Sequence, residues 1–260
     1  MEDRQTAQIK ERYRVEMPTT NVLGCDVHIS TMAAAVEHMH QAVKADQQLR
    51  IGVVNAAKLV NMQKDSRLGE DVNSSDLILA DGASVVWAAK LLGRPLPERV
   101  AGIDLMFEGM QLADQHGLRV FCLGASQEVL DKVVAEFGRR YPNAVIAGAC
   151  DGYFTEEDEP KVADQIAAAQ ADLLFVAITS PKKENFMARW GDHIRVGVIH
   201  GVGGSFDIVA GKTKRAPEIW QRLGMEWLYR VLQEPRRLFA RYFQTNVAFI
   251  WRLLKQKFAQ

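Results

Sequence analysis

The chain has 260 residues, of which 48% are hydrophobic and 25% charged, and 32 Lys and Arg balance 32 Asp and Glu. This length and apolar content predict one large α/β domain, or a domain with an appendage. No run of 18 consecutive apolar residues occurs and segment 1–18 is charged, so we expect neither a membrane-spanning helix nor a signal peptide. Three widely spaced cysteines, Cys25, Cys122 and Cys150, predict reduced, buried thiols and a cytosolic address.

Short apolar runs alternate with helical patterns along the chain. Segment 22–27 predicts an opening strand, and Ser30 is expected to cap the helix that follows it. Further apolar runs are too short for helices and predict strands buried on both faces, at 51–54, 76–80, 119–123, 145–149, 173–178 and 196–200. Six strands alternating with helices predict an α/β fold with a Rossmann-like, mostly parallel sheet flanked by helices.

Polar side chains follow two of the predicted strands. Asn55 comes directly after the first, and Asp81 and Gly82 come after the second. Because ligands bind beyond the carboxyl ends of parallel strands, an amide and a carboxylate there could grip a hydroxylated ligand and take its proton. The competing interpretation is that Asn55 caps the next helix and Asp81 forms an Asx turn before Gly82. Spacing alone favours this second interpretation.

Three strand-to-helix turns consist largely of small residues, at 80–83, at 123–126 with Gly124, and at 201–205 with Gly203. Such turns allow backbone N–H groups at a helix N-terminus to approach a phosphate. None of them matches a GxGxxG fingerprint or a P-loop. Their predicted convergence at one sheet edge nevertheless favours a nucleotide site.

Two lysines, Lys182 and Lys183, begin a predicted helix after Pro181. Cations at that end oppose the helix dipole, so their position favours contact with an anionic ligand over simple solvation. The chain has no HExxH motif, paired cysteines or DxD-type dicarboxylate, and His38 and His40 face different sides of their helix. We therefore predict no metal ion.

The C-terminal segment has its own composition. From Lys212 onward it contains eleven Lys or Arg and three Glu, a net charge of +8, and nine of the 21 aromatic residues follow Pro217. Helices are predicted at about 216–232 and 235–258. A basic, aromatic helical segment is typical of a membrane-surface element or of a cap over an anionic ligand, although a helical pair packed on the core remains an alternative.

This difference in composition predicts two parts: a Rossmann-like catalytic core, 1–211, and a helical appendage, 212–260, that associates with a membrane and caps the active site. No helix-turn-helix or RNA-binding signature is present, so no nucleic-acid partner is expected. The sequence leaves open whether the chain forms a homo-oligomer.

Ten short motifs occur in order along most of the chain: VNA at 54–56, ADG at 80–82, RVAGID at 99–104, LG at 123–124, DGYF at 151–154, SPKKE at 180–184, GVGGSFD at 201–207, RAP at 215–217, EWLYR at 226–230 and EPRR at 234–237. The ordered series resembles the WecG/TagA/CpsF glycosyltransferases, glycosyltransferase family 26. The resemblance implies a bacterial, inverting, metal-independent enzyme on the cytoplasmic face of the cell membrane. Such enzymes transfer a sugar from a UDP-sugar to a polyprenyl-diphosphate-linked saccharide during synthesis of teichoic acid linkage units, common antigen or exopolysaccharide.

The resemblance also implies roles for individual residues. Asp81 matches the general base, Asn55 matches an amide that grips the substrate, and Arg99 matches a site arginine. The appendage residues Arg230 and Arg237 match arginines that meet the diphosphate. The remaining residues expected to bind substrate are Gly82, Gly124, Lys182, Lys183, Glu184, Gly203 and Asp207.

Two departures from the family pattern leave the donor sugar open. Val53 stands where many members have Thr, and Lys183 stands where many have Gln. ManNAc, its uronic acid and glucose are all candidate donor sugars, and no cofactor is expected beyond the UDP-sugar itself. The alternative functions are a nucleotide-dependent oxidoreductase on a similar sheet, which would need a dinucleotide fingerprint, and a non-catalytic scaffold recruited to an anionic membrane.

Overall fold

The computed structural model describes residues 10–222, 224–233 and 235–258, except for the side chains of residues 222, 230, 237, 238, 240 and 241. Its strands are β1 (Thr19–Val22), β2 (Cys25–His28), β3 (Leu49–Val54), β4 (Leu77–Ala80), β5 (Arg119–Gly124), β6 (Val145–Cys150), β7 (Leu173–Ala177) and β8 (Val198–Gly201). Its helices are α1 (Met32–Lys44), α2 (Ala56–Met62), α3 (Ser66–Asn73), α4 (Ala83–Leu91), α5 (Gly102–His116), α6 (Gln127–Arg140), α7 (Glu159–Ala168), α8 (Lys182–Ile194), α9 (Ser205–Val209), α10 (Glu218–Arg222), α11 (Glu226–Gln233) and α12 (Pro235–Phe258).

Strands β3 to β8 form one parallel sheet in the spatial order β4-β3-β8-β7-β5-β6, which confirms the predicted fold class. Every residue of β4 and β7 is buried, as expected for strands covered on both faces. Because β8 lies between β3 and β7, the loops that follow β3, β4 and β8 end at the same edge of the sheet.

Helices cover both faces of the sheet. Leu77 and Leu79 point into an apolar cluster shared with α1, α5, α6 and α9. Ile78 and Ala80 point the opposite way, into a cluster with α2, α3, α4 and α12. This alternation follows from the period of two along a strand, and it explains why strands with continuous apolar sequence fit a doubly covered sheet.

The prediction of one opening strand at 22–27 is wrong. The segment contains an antiparallel hairpin, β1–β2, whose turn at Leu23 and Gly24 has φ angles of 52° and 81°. Two consecutive positive φ angles are typical of a tight two-residue hairpin turn, and this turn splits the apolar run. The Ser30 cap is also wrong, because Thr31 caps α1 and its side chain accepts a hydrogen bond from the Ala34 N–H at 3.1 Å.

The C-terminal segment departs from the predicted pair of helices. The helix expected at 216–232 is instead two short helices, α10 and α11, separated near Gly224, whose φ is 69°. A Cβ added to Gly224 would lie 2.5 Å from the Cβ of Ala83, so the chain turns there in close contact with α4. Pro235 begins α12, as predicted.

Helix α12 packs against the core. Phe249 and Leu253 are buried in the apolar cluster that also contains α2 and α4. Gln256 Oε1 accepts a hydrogen bond from the Leu23 N–H at 2.9 Å, and Arg252 donates one to Gln63 Oε1 at 2.7 Å. In the described ranges, no helix is both long and apolar enough to cross a bilayer. The division of the chain at residue 211 stays a prediction.

Candidate active site

A cavity of about 740 Å³ lies at the carboxyl edge of the sheet, between the strand-to-helix loops and the C-terminal helices. Six of the predicted site residues line it, namely Asn55, Asp81, Gly82, Arg99, Lys183 and Gly203. Its volume is in the upper part of the usual range for small-molecule sites, about 300–1,000 Å³. The structure therefore brings these six residues together around one space.

Asp81 lies directly after β4 and faces the cavity. Its own N–H donates to the carbonyl of Val54, and its carboxylate Oδ1 accepts from the N–H of Gly102 at 2.9 Å. Gly102 is the first residue of α5, so the carboxylate lies at a helix N-terminus, where the helix dipole stabilises negative charge. This long-range bond to Gly102 replaces the Asx turn that was the alternative prediction for Asp81.

Asn55 follows β3 and caps α2, because its Oδ1 accepts from the Lys58 N–H at 3.0 Å. The capping interpretation is therefore confirmed for Asn55, which also lines the cavity. Gly82 allows the two loops to lie side by side, since a Cβ added there would be 3.2 Å from Asn55 Cβ. The amide and the carboxylate thus occupy the same rim.

Lys183 and Glu184 are buried at the cavity floor, and Lys58 is partly buried beside them. Glu184 Oε1 lies 2.7 Å from Lys58 Nζ and 3.4 Å from Lys183 Nζ. Lys58 and Lys183 line the cavity, whereas Glu184 lies behind them. Two ammonium groups share one carboxylate, so this cluster has a surplus of one positive charge.

Burial and neighbouring charges shift the pKa values of this cluster. Desolvation and the positive charge of Lys58 lower the pKa of Lys183 to about 8. Burial alone would raise the pKa of Glu184, but the ammonium groups of Lys183 and Lys58 lower it to about 2. Glu184 is therefore ionised at neutral pH, and Lys183 is a cation that loses its proton more readily than an exposed lysine.

A network of arginines and carboxylates joins the core to the C-terminal segment. Arg215 donates to both oxygens of Asp104, at 2.6 and 2.7 Å, and Arg99 forms a short ion pair with Glu226. Arg99 also lies 3.9 Å from Asp104. Arg99, Arg215 and Glu226 all line the cavity, so α11 contributes to its wall through a charged contact with the core.

Sequence comparisons show the family to which the chain belongs. The family described as "Glycosyl transferase WecG/TagA/CpsF family" matches residues 20–260. The chain belongs to the WecG/TagA/CpsF glycosyltransferase family. It is 36% identical over 223 residues, covering 85% of this chain and 86% of the relative, to the "N-acetylglucosaminyldiphosphoundecaprenol N-acetyl-beta-D-mannosaminyltransferase" of Bacillus spizizenii. The protein is therefore a glycosyltransferase, which sets aside the oxidoreductase and scaffold alternatives.

Four predicted site residues of this glycosyltransferase do not line the cavity: Gly124, Lys182, Glu184 and Asp207. Gly124 has a φ of 125°, and a Cβ added there would lie 2.4 Å from the carbonyl oxygen of Ala177, so the residue serves backbone packing. Asp207 on α9 forms a 3.4 Å ion pair with Lys212. The side chains of Arg230 and Arg237 lie outside the described part of the structure.

Lys182 points away from the cavity, although it is adjacent to Lys183. Its ammonium donates to the carbonyl oxygens of Phe154 and, at 3.4 Å, Gly152, and it lies 3.9 Å from the centroid of the Phe154 ring. Lys182 therefore holds the loop after β6 against α8. Consecutive helical side chains point about 100° apart, which explains why only one of the two lysines reaches the cavity.

Sequence reasoning missed two residues that support the site. Arg215 lies in the RAP motif at 215–217, and its position in the sequence does not indicate that it pairs with Asp104 beside the cavity. His200 on β8 is fully buried, and its Nε2 lies 2.9 Å from the Gly102 carbonyl oxygen. Burial lowers the pKa of His200 to about 4, so the ring is neutral and donates to that oxygen. The first residue of α5 is thus held by both Asp81 and His200.

Among the described residues, no three His, Cys, Asp or Glu side chains are close enough together to hold a metal ion. Among the side chains that the structure describes, the charged ones lining the cavity are Lys58, Lys183, Arg99 and Arg215, with Asp81 and Glu226 as carboxylates. Such an arrangement can bind a polyanion and can remove one proton from a neutral ligand.

Proposed function

We propose that this enzyme transfers a hexose or an N-acetylhexosamine from a UDP-sugar to a polyprenyl-diphosphate-linked saccharide, with inversion at the anomeric carbon and without a metal ion. The observation that carries the proposal is the position of Asp81, a carboxylate facing a large cavity that is otherwise rich in cations. The relative's printed name supports the acceptor class, since that protein acts on N-acetylglucosaminyldiphosphoundecaprenol, and it makes N-acetylmannosamine the first donor sugar to test.

Asp81 acts as the general base in this proposal. It accepts the proton of the acceptor hydroxyl while that oxygen forms a bond to the anomeric carbon of the donor sugar. The bond between this carbon and the UDP oxygen breaks on the opposite face, and its electron pair leaves with UDP. The hydrogen bond from the Gly102 N–H fixes the orientation of the carboxylate, and Asn55 on the same rim holds a hydroxyl of the sugar.

The departing diphosphate needs positive charge. Lys183 supplies it at the cavity floor, beside the turn after β8, where a Cβ added to Gly203 would lie 3.9 Å from Lys183 Nζ. Glu184 shares its charge between two lysines and so leaves the cluster net positive. Positioned cations and backbone N–H groups in a poorly hydrated site stabilise a developing anion more strongly than they do in water. In this proposal Arg99 and Arg215, which pair with Glu226 and Asp104 and line the cavity, also bind a second anionic group, such as the acceptor diphosphate.

The exposed face of α12 suits a membrane surface. Seven exposed, large apolar side chains lie along one face of α12, which we call the α12 stripe: Phe239, Phe243, Val247, Ile250, Trp251, Leu254 and Phe258. They recur every three or four residues, as expected for one face of a helix, except that Ile250 and Trp251 are adjacent. Exposed cations, Arg236, Lys255 and Lys257, lie on the same helix. We propose that this stripe binds the enzyme peripherally to an anionic membrane, on the cytoplasmic face where UDP-sugars are made. Contact of Arg230 and Arg237 with the lipid diphosphate stays part of this proposal.

A transfer assay tests the proposal. The enzyme is incubated with UDP-ManNAc, its uronic acid or UDP-glucose, and with GlcNAc-diphosphate-prenol as acceptor. The expected result is one disaccharide lipid product and one UDP per transfer, with undiminished turnover in the presence of EDTA. Absence of product with all three donors, or turnover that EDTA abolishes, would contradict it.

A further inference from the structure

The cavity has two chemically different ends. Its sheet end contains the polar residues described above. Its other end, between α4, α11 and α12, is lined by Trp87, Leu91, Trp227, Phe249, Ile250 and Leu253, which we call the apolar groove. Apart from its uracil ring, a nucleotide sugar has little apolar surface, so a groove lined by six large apolar side chains is more than the donor requires.

Several side chains of the groove are exposed to a degree that is unusual for their size. Trp87 is 62% exposed and Ile250 57% exposed, and Leu91 and Trp227 are each 40% exposed. Single exposed apolar residues are common, but a contiguous group lining a cavity is typical of a binding site. The groove is therefore available to an apolar ligand.

The groove lies between the charged part of the site and the α12 stripe. Glu226 and Trp227 are consecutive in α11: Glu226 pairs with Arg99 at the polar end, and Trp227 lines the groove. At the opposite limit, Ile250 belongs both to the groove and to the α12 stripe. An elongated ligand could thus have its anionic part at the arginines and its apolar part in the groove, and could continue onto the membrane-facing surface.

We propose that the apolar groove binds the first isoprene units of the acceptor's polyprenyl chain. The proposal rests on the proposed function, because it assumes a prenyl-diphosphate acceptor whose sugar reaches Asp81. In such a molecule the saccharide, the diphosphate and the hydrocarbon chain follow one another in the same order as Asp81, the arginines and the groove. The enzyme then recognises the lipid directly and does not depend on the membrane alone to present it.

The rival occupant of the groove is the uracil ring of the donor, which could stack on Trp87 or Trp227. The two occupants make different predictions for kinetics. Prenyl binding affects the KM of the acceptor and depends on the length of its chain. Base stacking affects the KM of the donor and is independent of the acceptor's chain.

The test uses water-soluble acceptors, GlcNAc-diphosphates that carry prenyl groups of five, ten or fifteen carbons, below their micelle concentrations and without vesicles. Each added isoprene unit buries apolar surface, so the acceptor KM of the wild type should fall by about tenfold or more from the shortest to the longest chain. In Trp87→Ala and Leu91→Ala this dependence should shrink to about threefold or less, with the donor KM unchanged. Both side chains are exposed, so the variants should keep the fold, and a thermal unfolding scan verifies this.

Leu232→Ala is the matched control, since Leu232 is a leucine on α11 that is 63% exposed and does not line the cavity. This variant should retain the full chain-length dependence. An acceptor KM that is independent of chain length in the wild type, or an unchanged dependence in Trp87→Ala and Leu91→Ala, would overturn the prenyl proposal alone. An increase of the donor KM in those variants would overturn it in favour of base stacking. Failure of transfer with every acceptor would overturn the proposed function as well.

Discussion

The N–H of Gly102 donates to Asp81 Oδ1 at 2.9 Å across 21 residues of sequence. This bond joins the end of β4 to the start of α5, and it places a carboxylate at a helix N-terminus on the rim of the cavity. His200 donates to the carbonyl of the same glycine, so the backbone that holds Asp81 is fixed from two sides. The candidate base is therefore preorganised by contacts within the sheet and the start of α5.

The ionisation of Lys183 should make the rate of transfer depend on pH. Its ammonium should stabilise the leaving diphosphate, and its pKa of about 8 means that the charge disappears as pH rises through that value. The kcat/KM for the UDP-sugar, which reports ionisations of the free enzyme, should therefore fall above pH of about 8. Lys183→Gln should lower kcat at pH 7 by about 10²-fold and should lack this alkaline fall.

Lys132→Gln serves as the control for Lys183, because Lys132 is an exposed lysine on α6 that pairs only with Glu128 among the described residues. It should show the wild-type pH profile. An alkaline fall that persists unchanged in Lys183→Gln would show that another group titrates.

The ionisation of Glu184 should make the free energy of unfolding depend on pH in the acid range. Its folded pKa of about 2 lies below the ordinary value of 4.5, so the carboxylate stabilises the fold above pH 4.5 and loses this effect as pH falls towards 2. Glu184→Gln should reduce the free energy of unfolding by about 3 kcal/mol at pH 7. Urea unfolding at pH 7 and at pH 3 measures the difference, which should shrink at the lower pH. An equal loss at both pH values would contradict the ion-pair explanation.

The α12 stripe predicts membrane binding. Replacing Phe243 and Trp251 together by Glu removes two large exposed apolar side chains and adds two negative charges opposite an anionic surface. The fraction that sediments with anionic vesicles should fall by about tenfold or more. Tyr153→Glu, a change at an aromatic side chain that is 81% exposed in the loop after β6, should leave sedimentation unchanged. Equal sedimentation of the double variant and the wild type would exclude the stripe as the membrane contact.

The sheet was predictable because its strands carry their signal locally. Runs such as LILA in β4 and LLFVA in β7 are apolar throughout and too short for helices, which is typical of strands covered on both faces. The hairpin at the N-terminus was missed because its signal is a two-residue turn, Leu23 and Gly24, within an apolar run. The break at Gly224 was missed for a similar reason, since a lone glycine also occurs within helices.

The position of Asn55 and Asp81 on one rim followed from the rule that loops after parallel strands share an edge. The rest of the site depends on contacts that no local pattern encodes. Arg215 reaches Asp104 across 111 residues, and His200 reaches Gly102 across 98. The burial of Lys183 and the outward turn of Lys182 depend on how α8 is rotated against the sheet, which the two adjacent lysines do not reveal.

The most direct test of the account is transfer by Asp81→Asn. The substitution keeps the size of the side chain and the hydrogen bond from Gly102 but removes the base, so kcat should fall by about 10²- to 10⁴-fold while the dissociation constant for UDP, measured by calorimetry, stays within about twofold of the wild type. Asp131→Asn, at an exposed aspartate on α6, should retain full activity. Full turnover by Asp81→Asn would contradict the central claim that this carboxylate deprotonates the acceptor.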